Sequence, residues 1–221
     1  MTTINVAAQP VGDWILAWEG WLHGWEYGHD AAEGTWGADP LHCTCGNSGL
    51  AYYTDYTIYR SLFKVDLTSI PPSAIVKGAV LSTYHCWAYA EDCKIGCGKC
   101  GDMTVVLVDG TGVPQTNAGY GVMLGRTTSC GSIIIPNGTY TVDEDYIFTL
   151  NPAGLAIIQA NLGGWAYFGI RIYSDIISDP QCGYHWWTFN YDGDGEMDVD
   201  YIVAAVGGNP NVAKLVAGRL A

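Results

Sequence analysis

The stretch that decides the fold is Tyr59–His85, which reads YRSLFKVDLTSIPPSAIVKGAVLSTYH. In its first part, two sets of side chains alternate with a period of two residues, which is typical of a half-buried β-strand. The two predicted faces carry Ser61, Phe63 and Val65 on one side, and Leu62, Lys64 and Asp66 on the other. We therefore expect a strand to end shortly after Asp66.

The second part of the same stretch predicts a second strand. Pro71 and Pro72 have no N–H to donate to a sheet, so the chain has to turn at this point. The alternation then resumes with Ile75, Lys77, Ala79 and Leu81 on one face, and Val76, Gly78, Val80 and Ser82 on the other. Two such neighbouring strands indicate an all-β domain, an antiparallel jelly-roll-like β-sandwich. We also expect one short internal helix, at 151–162, and a short C-terminal helix.

The same stretch resembles the centre of DNRLRE-type jelly-roll domains. The matching positions are Arg60, Leu62, Val65, Asp66, Leu67, Ile70, Pro71, Ala74, Val76, Ala79 and Leu81. A second match, Phe148–Ile172, resembles the later helical turn and glycine-containing strand of that family, and the resemblance extends over 10–206. Such domains occur in secreted bacterial wall proteins, carbohydrate-binding modules and phage virion proteins. The resemblance implies a β-sandwich with a binding or structural role and no catalytic set.

Length and composition favour one folded domain. The chain has 221 residues, of which 49% are apolar and only 14% charged, so a disordered chain is excluded. We expect an N-terminal arm over 1–12, a β-sandwich domain with cysteine-rich loops over 13–206 and a C-terminal extension over 207–221. Tyrosine and tryptophan far outnumber phenylalanine, which suits half-hydrated faces and interfaces.

The net charge of −13 limits the possible partners. Nine Lys and Arg residues are spread along the chain and form no cluster, which argues against nucleic-acid binding and against anionic membranes. No apolar run is long enough for a membrane span, and the start of the sequence lacks the pattern of a signal peptide. The eight cysteines are nevertheless typical of an extracellular scaffold. A virion component released by lysis fits these facts, and so does a secreted protein whose leader was trimmed.

The cysteines are candidates for disulfides or for a metal site. They are Cys43, Cys45, Cys86, Cys93, Cys97, Cys100, Cys130 and Cys182. The even number favours disulfides, with Cys130 and Cys182 as one pair. The Cys97-x-x-Cys100 spacing would suit Zn²⁺, completed by Cys43 and Cys45 or by a histidine, although no second CxxC exists. Free thiols are the third alternative.

The acidic run over 190–201 is a candidate calcium site. Five residues fall in the register of a calcium-binding loop: Asn190, Asp192, Asp194, Glu196 and Asp198. Tyr201 stands where the last carboxylate ligand belongs, so the match to a dockerin-type Ca²⁺ loop is incomplete. The alternative is a hairpin turn, because Asp-Gly-Asp-Gly between two apolar segments is a strong turn signal.

Aromatic side chains are candidates for a ligand-binding or subunit-contact face. We single out Trp36, Trp87, Trp186 and Trp187, since flat rings flanked by polar groups suit sugar binding. Adjacent residues of a strand point to opposite faces, so one of Trp186 and Trp187 is expected outside the core. The alternative is that these rings fill the core or cover the edge of the sandwich.

Nothing in the sequence predicts an enzyme. The five histidines have no metal-ligand spacing, and neither a phosphate-binding loop nor a nucleophile elbow is present. The sequence therefore predicts a non-enzymatic extracellular structural or adhesion module, first of all a phage virion surface protein that is a capsid decoration or tail-associated component. Its expected partners are copies of itself or a neighbouring virion protein. The alternative is a carbohydrate-binding module whose partner is a glycan.

Overall fold

The all-β prediction is confirmed by the computed structural model, which describes residues 1–18, 29–37, 42–50, 53–90, 101–178, 183–190 and 195–203. These residues form eleven strands and three short helices. The strands are β1 (Thr2–Trp18), β2 (Thr35–Gly37), β3 (His42–Leu50), β4 (Tyr53–Asp66), β5 (Ala74–Ala90), β6 (Met103–Asp109), β7 (Ser129–Ile135), β8 (Tyr140–Thr149), β9 (Trp165–Ile172), β10 (Gly183–Asn190) and β11 (Gly195–Val203). The helices are α1 (Gly119–Leu124), α2 (Pro152–Ala160) and α3 (Tyr173–Ile176).

The strands pair antiparallel around a nearly closed ring. β1 pairs with β11, β11 with β5, β5 with β10, β10 with β3, β3 with β4, and β4 with β1 again. β9, β6 and β7 continue the sheet outward from β4, while β8 adds to β5 and β2 to β1. The main core lies inside this arrangement, and a second apolar cluster lies on the other face of β4 and β6, beneath α1.

Strand β4 is buried on both of its faces, although its pattern predicted a half-buried strand. Phe63 and Val65 point into the main core, and Phe63 stacks on Phe168 with ring centroids 5.5 Å apart. Ile58 and Leu62 point the other way, into the second cluster. The second face is covered because α1 and the segments beside it form an additional layer. The alternation of residues within β4 cannot predict this layer.

Strand β5 changes the phase of its alternation near Lys77. Gly78 is opposite Asp200 of β11 whereas Val76 is opposite Tyr201, so β5 contains one extra residue at this point. Such a bulge moves the following side chains to the opposite face. The predicted common face of Ile75, Ala79 and Leu81 is therefore wrong for Ile75, which is 45% exposed while the other two are buried.

The N-terminal residues are part of the sheet and not a separate arm. Thr2–Ala8 pair with Gly195–Tyr201 of β11, and Val6 and Ala8 are buried in the main core. The boundary predicted between 12 and 13 is thus corrected, because β1 continues across it to Trp18. The predicted C-terminal extension, 207–221, lies outside the described residues.

One of the helices was predicted from the sequence, and α1 was not. α2 was expected, and the Asn151 side chain caps it by accepting hydrogen bonds from the N–H groups of Ala153 and Gly154. α1 was not predicted, since the sequence indicated one internal helix only. It is helical because Tyr120 and Met123, three residues apart, share the face that fills the second cluster.

The hairpin predicted in the acidic run is also corrected. β10 pairs with Trp87–Ala90 of β5, and β11 pairs with Ala74–Ser82 of the same strand. The two strands therefore follow one another along one side of β5 instead of folding back on each other. Residues 191–194, which come between the two strands in the sequence, lie outside the described residues.

Candidate functional site

A charged cluster is buried on the outer face of β4 and β9. Arg60 of β4, Arg171 of β9 and Asp175 of α3 all have zero exposure. Arg60 binds the carboxylate with two hydrogen bonds, from Nε at 2.9 Å and from Nη2 at 2.7 Å. Arg171 Nε donates to the same carboxylate at 2.6 Å. One carboxylate thus joins two guanidinium groups from neighbouring strands.

The remaining guanidinium hydrogens of the cluster bind backbone carbonyls of the outer layer. Arg60 donates to the carbonyl oxygens of His29 and Tyr120, both at 2.9 Å. Arg171 donates to the carbonyls of Met123, Leu124 and Arg126 at 3.0–3.1 Å, and to that of Asp175 at 2.8 Å. Since the last carbonyls of a helix have no partner within the helix, Arg171 satisfies the C-terminal end of α1.

The electrostatics of the cluster keep Asp175 ionised. Burial by itself would raise the pKa of this carboxyl, but the charges of Arg60 and Arg171 outweigh burial and lower the pKa to about 2. The guanidinium of Arg60 also lies 4.0 Å from the centroid of the Tyr120 ring, a cation–π contact. Burial raises the pKa of Tyr120, so this ring stays neutral.

His29 links a further segment to the cluster. Its Nε2 lies 2.7 Å from the carbonyl oxygen of Asp175, and its Nδ1 lies 2.5 Å from a carboxylate oxygen of Asp30. The segment 29–37 is thereby held against α3. Gly121 of α1 also approaches Ala32 so closely that a Cβ on Gly121 would clash with the carbonyl oxygen of Ala32.

Beside the cluster lie two cavities, of about 330 and 360 Å³, which have Thr127 as a common lining residue. We call the two together the Tyr173 groove. The first cavity is lined by Thr104, Val106, Thr127, Ser129, Ser132, Tyr173 and Ile176. The second lies between Arg126 and the α2 residues Ala153, Ala156 and Ile157. The Tyr173 side chain is 50% exposed, so its ring is accessible.

The buried cluster determines the positions of the groove walls. Arg171 binds the carbonyls of Met123, Leu124 and Arg126, and Arg126 lines the second cavity. Asp175 belongs to α3, which also carries Tyr173 and Ile176 in the first cavity. The ionic bonds therefore fix both walls before any ligand arrives, which is the property of a preformed site.

A second exposed region lies where the sheet ends. Among the described strands, β7 pairs only with β6, and β8 only with β5, so each has one open edge. Four large apolar side chains on these two strands are between 46% and 66% exposed: Ile134, Tyr140, Val142 and Ile147. We call them the β7–β8 patch.

The predicted cysteine site falls largely outside the described side chains. Cys86 and Cys130 are both buried, and burial raises the pKa of Cys130 to about 11, so its thiol stays protonated near neutral pH. Cys130 is a free cysteine in the structure, and its predicted disulfide partner Cys182 lies outside the described residues. Cys43 and Cys45 lie in β3 with side chains that are not described, and Cys93, Cys97 and Cys100 are outside the described part. Disulfides and Zn²⁺ stay predictions.

The predicted calcium residues are divided between two strands. Asn190 ends β10, and Glu196 and Asp198 lie in β11, where both carboxylates accept hydrogen bonds from Asn5 at 3.0 Å. Asp192 and Asp194 are outside the described residues. No group of three or more His, Cys, Asp or Glu side chains within the described part is arranged to hold a metal ion. Calcium binding stays a prediction.

The four tryptophan candidates differ in their surroundings. Trp187 is completely buried against Phe148 and Tyr146, so it is a core residue and not a ligand platform. Trp36 is half-buried against the second apolar cluster. Trp87 and Trp186 lie in β5 and β10, but their side chains are outside the description. Within the described residues, moreover, no helix is long and apolar enough to cross a membrane.

Sequence reasoning missed the Tyr173 groove and the charged cluster. Only Arg60 had been noticed, as part of a family resemblance. The one available signal was the combination of Arg171 and Asp175, four residues apart at the end of an apolar strand, since an ion pair in such a place is expected to be buried. A scan of family models finds no match to this chain, and a search of curated proteins finds none either.

Proposed function

We propose that this protein is a non-enzymatic structural or adhesion module that works outside the cell, as a capsid decoration or tail-associated component of a phage-type virion surface. The observation that carries the proposal is the β7–β8 patch, in which apolar side chains are exposed beside two open strand edges. Open edges expose N–H and C=O groups that can pair with another strand. Apolar side chains beside them add the burial that stabilises an interface.

The partner that we assign to the patch is a second copy of this chain. An antiparallel strand edge can pair with the same edge of another copy across a two-fold axis, which gives a self-complementary contact. Ile134 of β7 and Ile147 of β8 are 65% and 62% exposed, so burying them in such a contact would favour association.

The oligomeric state tests the proposal. Sedimentation velocity over a range of concentrations is expected to show association of the unmodified protein, and Ile134→Lys with Ile147→Lys is expected to abolish it. The matched control is Ile75→Lys with Val203→Lys, two side chains that are 45% and 48% exposed at the start of β5 and the end of β11. A monomer at every concentration, or equal losses in both double variants, would contradict this role for the patch.

A carbohydrate-binding module is the second candidate, and the Tyr173 groove favours it. The groove combines an accessible aromatic ring with hydroxyl side chains, which is the combination that orients a sugar. Of the tryptophans that suggested this function from the sequence, the two with described side chains, Trp36 and Trp187, are not among the lining residues.

A further inference from the structure

We propose that the Tyr173 groove binds a neutral oligosaccharide chain. This inference rests on the second candidate function and is independent of self-association through the β7–β8 patch. It assigns the binding site to α3, β6, β7 and the segment 126–129, where the sequence had indicated no ligand contact.

The dimensions of the groove suit an extended ligand. Each of its two cavities, of about 330 and 360 Å³, has the volume of a small ligand pocket. They adjoin at Thr127, and a third cavity of about 60 Å³ continues past Thr104 and Tyr173. Because neighbouring cavities share lining residues, a ligand of several linked units can contact more than one of them.

The chemistry of the walls matches that of a sugar ring. Thr104, Thr127, Ser129 and Ser132 line the first cavity, and each hydroxyl can both donate and accept hydrogen bonds, as a sugar hydroxyl does. Val106 and Ile176 add apolar surface to the same cavity. With the exposed Tyr173 ring, they can contact the C–H face of a pyranose, which is apolar.

The charges around the groove favour a neutral ligand. Among the described lining residues the only cation is Arg126, and its Nη1 lies 3.4 Å from a carboxylate oxygen of Asp109, which lines the same cavity. Arg126 also donates to the carbonyl of Thr111 at 2.8 Å. This guanidinium is therefore already neutralised, and the net charge of −13 opposes the approach of a polyanion.

Arg171 and Asp175 act as positioning residues for this site. They do not line the groove, but they hold the backbone of 123–126 and α3, on which the lining residues Arg126, Tyr173 and Ile176 are placed. A site whose walls are fixed in advance loses less conformational entropy when it binds a ligand. This favours measurable affinity in a groove as open as this one.

Affinity electrophoresis in native gels tests the inference. The probes are hydroxyethylcellulose, mixed-linkage β-glucan, galactomannan and dextran, with alginate and polygalacturonate as anionic comparisons. At least one neutral polysaccharide is expected to retard the protein, and Tyr173→Ala is expected to weaken that retardation about tenfold through loss of the stacking ring. Ser132→Trp, which fills the first cavity from an exposed position, is expected to remove it.

The matched control is Tyr140→Ala. Tyr140 is 66% exposed on β8 and is not among the lining residues, so its removal is expected to leave retardation unchanged. The inference is overturned if no neutral polysaccharide retards the protein, or if only the anionic ones do. It is also overturned if Tyr140→Ala and Tyr173→Ala weaken the retardation equally. Failure here leaves the sedimentation experiment unaffected, because that experiment contains no polysaccharide and alters different residues.

Discussion

Individual buried charges organise the outer layer of this molecule. Asp175 is the only carboxylate in contact with both Arg60 and Arg171 among the described side chains, and all three have zero exposure. A buried charge is tolerated only where it is paired and hydrogen-bonded. The polar layer over β4 and β9 therefore depends on three side chains from three different elements.

Replacing Asp175 with alanine is expected to lower the free energy of unfolding by about 3–5 kcal/mol, because two guanidinium groups are then left buried without their counter-charge. The midpoint of urea unfolding, with the slope of the transition as a check, measures this loss. Asp145→Ala is the control, since Asp145 is exposed on β8. A loss no larger than that of the control would show that the cluster is not needed for stability.

The lowered pKa of Asp175 also predicts how stability depends on pH. The folded value is about 2 and the ordinary value is 3.8, so the carboxylate stabilises the fold fully above about pH 4. As the pH falls below 3.8, the unfolded chain binds a proton that the folded chain does not, and the contribution decreases until about pH 2. As the pH decreases through this window, the free energy of unfolding should fall more steeply for the unmodified protein than for Asp175→Asn. Parallel curves would contradict the assignment.

At the residue scale, the sequence predicts roles that depend on neighbours in the chain better than roles that depend on contacts between distant segments. Asn151 and Pro152 start a helix through local chemistry alone, so their roles are readable from the sequence. Arg60 and Arg171 lie 111 positions apart, and their common carboxylate becomes visible only when β4 and β9 are paired. Trp187 was ambiguous for the same reason, because alternation shows that adjacent side chains diverge but not which face is buried.

Among the elements, the strands could be predicted where burial of one face makes the side chains alternate along the chain. The β4 and β5 segments follow from alternation and from the prolines between them, and the bulge near Lys77 explains why the predicted face of β5 failed at its start. α1 was not predicted because its six residues are too few to establish a helical period, and its stability comes from tertiary contacts.

The close approach of β6 to β9 gives a prediction for the chain just after β6. A Cβ on Gly110 would lie 2.6 Å from Leu62 Cδ1, 2.8 Å from the carbonyl carbon of Phe168 and 2.9 Å from the backbone N of Gly169. Gly110→Ala is therefore expected to cost about 1–3 kcal/mol of unfolding free energy through overpacking. Gly101→Ala is the control, because a Cβ there meets no atom within 4 Å. Thermal unfolding of both variants checks this, and equal melting temperatures would refute the close packing.

For the whole molecule, the net charge and the β7–β8 patch act in opposite directions. Two copies that each carry −13 repel one another, whereas burial of Ile134 and Ile147 favours contact. Added salt screens the repulsion and leaves apolar burial almost unaffected. Association is therefore expected to strengthen when NaCl is raised from about 0.02 M to about 0.2 M, as sedimentation velocity can show. Dissociation on adding salt would indicate an interface held by ion pairs instead.

The pairing of the first strand with the last has a consequence during synthesis. Thr3 donates a hydrogen bond to Asp200, a residue 197 positions later, so β1 leaves the ribosome long before its neighbour β11 exists. Until then the first part of β1, Thr2–Ala8, has no β11 to pair with and exposes apolar side chains such as Val6. Such a segment can pair wrongly with a neighbouring nascent chain on the same messenger RNA. We expect folding to begin in the pairs of strands that are close in sequence, β3–β4 and β6–β7, and to finish only after β11 has been synthesised, which makes this protein a natural client of chaperones that shield nascent strands.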